Sequence, residues 1–252
     1  MSEEQAIISS SATGELPQQR RYGAWAIIGI GIAIVLISLL AMPILVELMV
    51  QAIDAVFNKG NTSDGLRTAL SIISTGLSGM LLIYLIIRMS GNSFFSYLGL
   101  RRLNWKIVFL ALAAFIIAIV CISGFSMVYE YFAGASSNSS NSDFMDNTYS
   151  GVNWWLLWMA VVVCAPVFEE TLFRGFLFVG LQRSRLRVVG TIILTSLVWA
   201  LLHLQYNLFG MVTIVLLGIV LGVTRYKTGS LWSAILVHAM WNGMAQIFTA
   251  LG

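Results

Sequence analysis

Apolar runs long enough to cross a bilayer, separated by short polar breaks, constrain this chain more than any other feature. The first covers about residues 24–46, directly after the pair Arg20-Arg21. Others follow at about 66–87 and 107–128, and from residue 154 the chain is apolar almost to its end. About 20 apolar residues span the hydrocarbon core as a helix, and a helix satisfies all of its own backbone groups there. The first run is too long for the apolar region of a secretory signal and reads as a retained span. With 58% hydrophobic and 10% charged residues and a mean hydropathy of +0.87, a disordered chain and a soluble enzyme with one apolar core are excluded. The two cysteines, Cys121 and Cys164, lie within apolar runs and read as packing residues.

Basic residues set the expected topology. The segment 154–182 holds Pro166, Glu169, Glu170 and Arg174 near its middle and could form one long span or two short ones. Read as one span, it gives seven in all. With the N-terminus cytoplasmic, eleven of the fourteen Lys and Arg then fall on the cytoplasmic side, Lys59 and Arg67 lie outside, and Arg174 is in the membrane. Two short spans would divide the charges almost evenly, against the positive-inside rule. The expectation is an all-α polytopic bundle of about seven transmembrane helices. Its parts are a polar cytoplasmic tail (1–23), three N-terminal spans (24–132), a polar outer loop (133–153) and a four-helix core (154–252). The net charge of +3 is then a topology signal, and no nucleic-acid partner is expected.

Ionisable groups at membrane depth are costly and mark function. Glu169, Glu170, Arg174, His203 and His238 lie within the apolar C-terminal half, with Asn242 beside them. Glu170 and Arg174 are four apart, so they meet on one helix face with the acid on the favourable side. That leaves Glu169 as the carboxylate without a full charge partner, suited to general-base work. Trp199 and His203 are four apart on the next helix, and His238 and Asn242 on the last. Counted from the basic marker of each helix, Glu169 lies roughly 21 Å deep, His203 roughly 24 Å, His238 roughly 16 Å and Asn242 roughly 22 Å. All four share one slab of a core about 30 Å thick. Such a set suits hydrolysis of an acyl bond by activated water, with donors for the oxyanion. No Ser or Cys occupies a nucleophile motif.

Three segments carry a resemblance. Glu169-Glu170-Thr171-Leu172-Phe173-Arg174 fits EExxxR, Trp199-Ala200-Leu201-Leu202-His203 fits aromatic-xxx-His, and His238-Ala239-Met240-Trp241-Asn242 fits HxxxN. In this order they resemble the CPBP (CAAX protease and bacteriocin-processing) or Abi family, which includes the type II CAAX prenyl endopeptidases. The likeness covers about residues 154–246, and Tyr97–Arg102 is similar to a segment often found before the core of bacterial members. It implies an intramembrane endopeptidase in a bacterial plasma membrane, acting on a membrane-associated peptide or protein. It implies that Glu169 activates water, that Glu170 and Arg174 support the site, that His203 positions water, and that His238 and Asn242 form the oxyanion pocket. The family's Phe in the second motif is Trp199 here. The family has been described both with and without a metal. Glu169, His203 and His238 would be the zinc ligands if one were bound, but HExxH is absent, Asn242 is a poor zinc ligand, and no obligatory metal is expected. The competing readings are a peptide-binding or immunity protein without catalysis and a proton-coupled transporter. No inverted repeat supports transport.

Overall fold

The computed structural model describes residues 22–57, 62–134 and 154–251, so most of the N-terminal tail and of the loop 133–153 lies outside it. Eight helices and no strands are present among the described residues. Helix α1 runs over residues 24–57, with a wider π segment at Leu36–Ala41. Helix α2 is Asp64–Met89, α3 is the short Phe94–Leu98, and α4 is Trp105–Ala133. Helix α5 is Trp154–Leu181, α6 is Arg187–Leu201, α7 is Leu208–Thr228 and α8 is Leu231–Leu251. Their ends fall where polar chemistry requires them. Ser63, Asn104 and Asn207 accept from the first free N–H groups of α2, α4 and α7. Gly99, Gly134 and Gly229 close α3, α4 and α7 in the left-handed conformation.

Five helices, α1, α2, α4, α5 and α7, are long and apolar enough to cross a membrane, which makes the chain an integral membrane protein. The expected seven also take in α6 and α8. Helix α6 has 15 residues, roughly 22 Å. Helix α8 has 21 residues, but His238, Asn242 and Gln246 interrupt its apolar character. Segment 154–181 is one continuous helix, not two. A π turn at Ala160–Cys164 lies just before Pro166 and a second at Thr171–Leu177 follows Glu170. Pro lacks a backbone N–H and its ring crowds the carbonyl four residues back, and a widened turn relieves both.

Helix α5 is the hub. Every residue from Thr171 to Phe178 is buried, and half of its most apolar window is covered, against a third or less in the other four. Hydrocarbon offers no hydrophobic force between helices, so close packing of small residues must hold them. Gly79 of α2 meets Phe168 of α5 so closely that a Cβ would sit 2.0 Å from the ring. Outward faces carry large apolar side chains such as Trp25 and Leu77, suited to lipid contact. Cys121 is also exposed on such a face, so it does not pack in the core as expected; Cys164 is half-buried and both thiols are free. Arg67 pairs with Glu47 and with Asp54, tying the end of α1 to the start of α2.

Candidate active site

Helix α5 supplies both carboxylates. Glu170 is fully buried, and its Oε1 accepts two bonds at 3.0 Å, one from Arg174 Nη1 and one from His238 Nδ1 on α8. Arg174, also fully buried, gives Nη2 to the carbonyl of Gly218 on α7 at 3.2 Å. A Cβ at position 218 would lie 3.0 Å from that nitrogen and 2.8 Å from Ser196 Cβ, so a bare backbone is needed there. The GxxxG pair of α7 thus packs against α6, with Gly218 on Ser196 and Gly222 on Ile192, and also opens a carbonyl to the guanidinium.

Trp199 of α6 stands in the middle. Its indole Nε1 donates to Glu169 Oε2 at 2.6 Å. Its face carries the Arg174 guanidinium 4.6 Å from the ring centre, and the rings of His203 and His238 meet it edge-on at 5.4 and 5.0 Å. Glu169 is therefore not the unattended carboxylate of the charge count: it lacks a cation of its own but has a neutral donor. A Phe at this position could not supply that bond, since it has no N–H.

His203 departs from the expected position. Helix α6 ends at Leu201, and His203 sits in the turn beyond it rather than on the helix. Its Nδ1 lies 2.9 Å from the carbonyl of Trp199, one of the last carbonyls of α6. A histidine that caps the carbonyls at a helix end takes the place of further helical bonds. Because that carbonyl can only accept, a proton is on Nδ1, and in the neutral ring Nε2 then offers a lone pair. Tyr206 lies nearly parallel to the His203 ring at 6.2 Å. Burial, and then the Glu169 carboxylate, push its phenol above the usual range, so it stays a neutral group.

On α8, Asn242 donates from Nδ2 to the carbonyl of Val161 at 2.9 Å, at the first π turn of α5. One amide hydrogen is committed there and the second is free to act. His238 turns Nδ1 to Glu170, so its Nε2 accepts in the neutral ring and donates only in the charged one. The structure thus groups Glu169, Glu170, Arg174, His203 and His238 around Trp199 and holds Asn242 one helical turn from His238. What sequence reasoning missed is the Trp199 bond; the signal was an aromatic with a donor where the resembling family carries Phe.

A zinc centre does not fit this arrangement. Among the described residues no group of three His, Cys, Asp or Glu side chains is placed to hold a metal ion, so Glu169, His203 and His238 do not form a ligand set. Two polar atoms of the cluster, Glu170 Oε2 and Arg174 Nε, are buried with no protein partner.

Residues 151–244 match the family model described as type II CAAX prenyl endopeptidase Rce1-like. An uncharacterized 24.3 kDa protein of Escherichia coli is 34% identical to this chain over 94 residues, 36% of this chain and 42% of that protein. The chain thus spans less than half the length of that relative. No solved structure matches the chain.

Proposed function

We propose, from the match of residues 151–244 to the type II CAAX prenyl endopeptidase Rce1-like family model, that the chain is an intramembrane endopeptidase that cleaves a membrane-associated peptide or protein with water activated by Glu169. The observation that carries this reading is the cluster around Trp199, in which Glu170, Arg174 and His238 are buried and Glu169 and His203 are half-buried. A general base must be held in place and a donor pair must face the developing oxyanion. Trp199 holds Glu169 Oε2 and leaves Oε1 for water. His203 Nε2 accepts from the same water. Water oxygen attacks the scissile carbonyl carbon while its proton passes to Glu169. The free amide hydrogen of Asn242 stabilises the oxyanion throughout, and His238 adds a second donor whenever its Nε2 carries a proton. Collapse of the tetrahedral intermediate breaks the C–N bond, and the proton on Glu169 passes to the leaving amine. Glu170 and Arg174 touch no reacting atom: they orient His238 and Trp199.

The same reading takes seven spans with the N-terminus cytoplasmic. The meeting of Arg101, Arg183 and Arg225 at one end of the bundle supports it, because the topology assigns all three to the cytoplasmic side.

The test is mass-spectrometric mapping of new peptide termini in membranes that express the chain or its Glu169→Gln variant. Termini produced only by the wild type, with both proteins equally inserted, are expected. Equal termini from both would refute the role of Glu169, and none from either would favour a binding or transport function.

A further inference from the structure

A second site lies at the far end of α5, away from the carboxylates. A cavity of about 540 Å³ opens there between the α3–α4 connection, the end of α5 and the end of α7. Three guanidiniums line it, those of Arg101, Arg183 and Arg225, and no lining residue is acidic.

Arg225 is the informative one. It is 7% exposed, its hydrogen-bond partners are backbone carbonyls, with Nε donating to Arg174 O and Nη2 to Leu98 O, each at 3.1 Å, and its guanidinium lies 5.8 Å from the centre of the Phe178 ring. No carboxylate pairs with it among the described residues. A buried charge without a counter-charge is costly. The backbone is shaped to accept that cost. Gly99 and Gly229 both have positive φ, +67° and +64°, and a Cβ at Gly99 would lie 2.7 Å from Arg225 Nη2. Arg101 lies against Gly229, so a second cation is held beside the first. Repulsion between these cations is relieved most simply by an anion between them.

The rim says which kind of anion. Phe95 lines the cavity and is 67% exposed, and Trp105, at the start of the next helix, is 73% exposed. Exposed aromatic rings beside guanidiniums at the end of a bundle belong to the membrane interface, at headgroup level. Tyr97 also lines the cavity. Burial first, and Tyr22 second, push its phenol up to about 12 against the opposing pull of Arg183, so it stays a neutral donor.

We propose that this cavity binds the phosphate of an anionic phospholipid headgroup, held by Arg225, Arg101 and Arg183, with the acyl chains leaving past Phe95. The site is independent of the peptidase reading. Bidentate guanidinium–phosphate bonds supply the recognition, and an anionic lipid would neutralise Arg225.

Thermal unfolding of the detergent-solubilised full chain tests this with phosphatidylglycerol, phosphatidylcholine or inorganic phosphate as the probe. Phosphatidylglycerol is expected to raise the melting temperature, and the other two to leave it unchanged at the same concentration. The exposed pair Arg101→Gln/Arg183→Gln should keep the lipid-free melting temperature and weaken phosphatidylglycerol binding at least tenfold. The single variant Arg183→Gln should show the same direction. Arg102→Gln/Arg185→Gln removes equal charge from outside the cavity and should bind like the wild type. Equal weakening by both pairs would reduce the effect to surface charge and overturn the site. A full shift with inorganic phosphate or with phosphatidylcholine would overturn the anionic-lipid assignment.

Discussion

Replacing Glu170 with Ala probes the centre of the buried network. Its Oε1 serves two donors at once, Arg174 and His238, and both carboxylate and guanidinium are wholly buried. At an effective dielectric near 20, opposite charges about 4 Å apart attract by about 4 kcal/mol. Removing one partner leaves the other charged and uncompensated, at a cost of about 3–5 kcal/mol. Arg174 would retain the Gly218 carbonyl and the face of Trp199, which soften the loss without replacing the charge. At about 2–4 °C per kcal/mol for a chain of this size, the melting temperature should fall by roughly 10 °C. Thermal unfolding in detergent measures it. The double variant Glu170→Ala/Arg174→Met removes both charges and should recover at least half of the fall. An unchanged melting temperature in the single variant, or a double variant as unstable as the single one, would refute the argument that charge compensation holds this cluster.

Three further outcomes are expected. Trp199→Phe deletes one hydrogen bond to a carboxylate, worth about 1.5–3 kcal/mol, and should lower the melting temperature by several degrees and slow the appearance of new termini, under conditions where the variant stays folded, by roughly 10–100-fold; an unchanged rate would remove Trp199 from the mechanism. Gly79→Ala places a Cβ 2.0 Å from the buried Phe168 ring and should destabilise by about 1–3 kcal/mol, read as a lower melting temperature, whereas an unchanged value would mean that α2 and α5 separate without cost. Zinc chelation should leave the yield of termini unaltered; inhibition reversed by added zinc would show that a metal centre assembles.

Much of this was legible in the order of residues. Helix boundaries follow the polar breaks: α5 ends at Leu181 before the basic run 183–187, and α7 begins just after Asn207. In a bilayer a helix is the only open-chain solution for a long apolar run, so hydropathy alone predicts the element. The Glu170–Arg174 pair follows from the 3.6-residue period, which places i and i+4 together whatever surrounds the helix.

Contacts between helices were not legible, because no local period determines which faces meet. The charge count left Glu169 without a partner; tertiary packing turned the indole of Trp199 toward it, across 30 positions of chain. The pairing of His238 with Glu170 joins residues 68 apart, and with it comes the constraint on which His238 nitrogen can donate. Periodicity put His203 on a helix, but its ring bonds the Trp199 carbonyl where α6 ends at Leu201. Three basic residues that sequence could read only as topology markers gather around one cavity, because the ends of α5 and α7 and the α3–α4 connection come together there. The chain's own chemistry determined that it must span a membrane as helices and carry charge at depth; the packing around α5 alone decided which of those charges face one another.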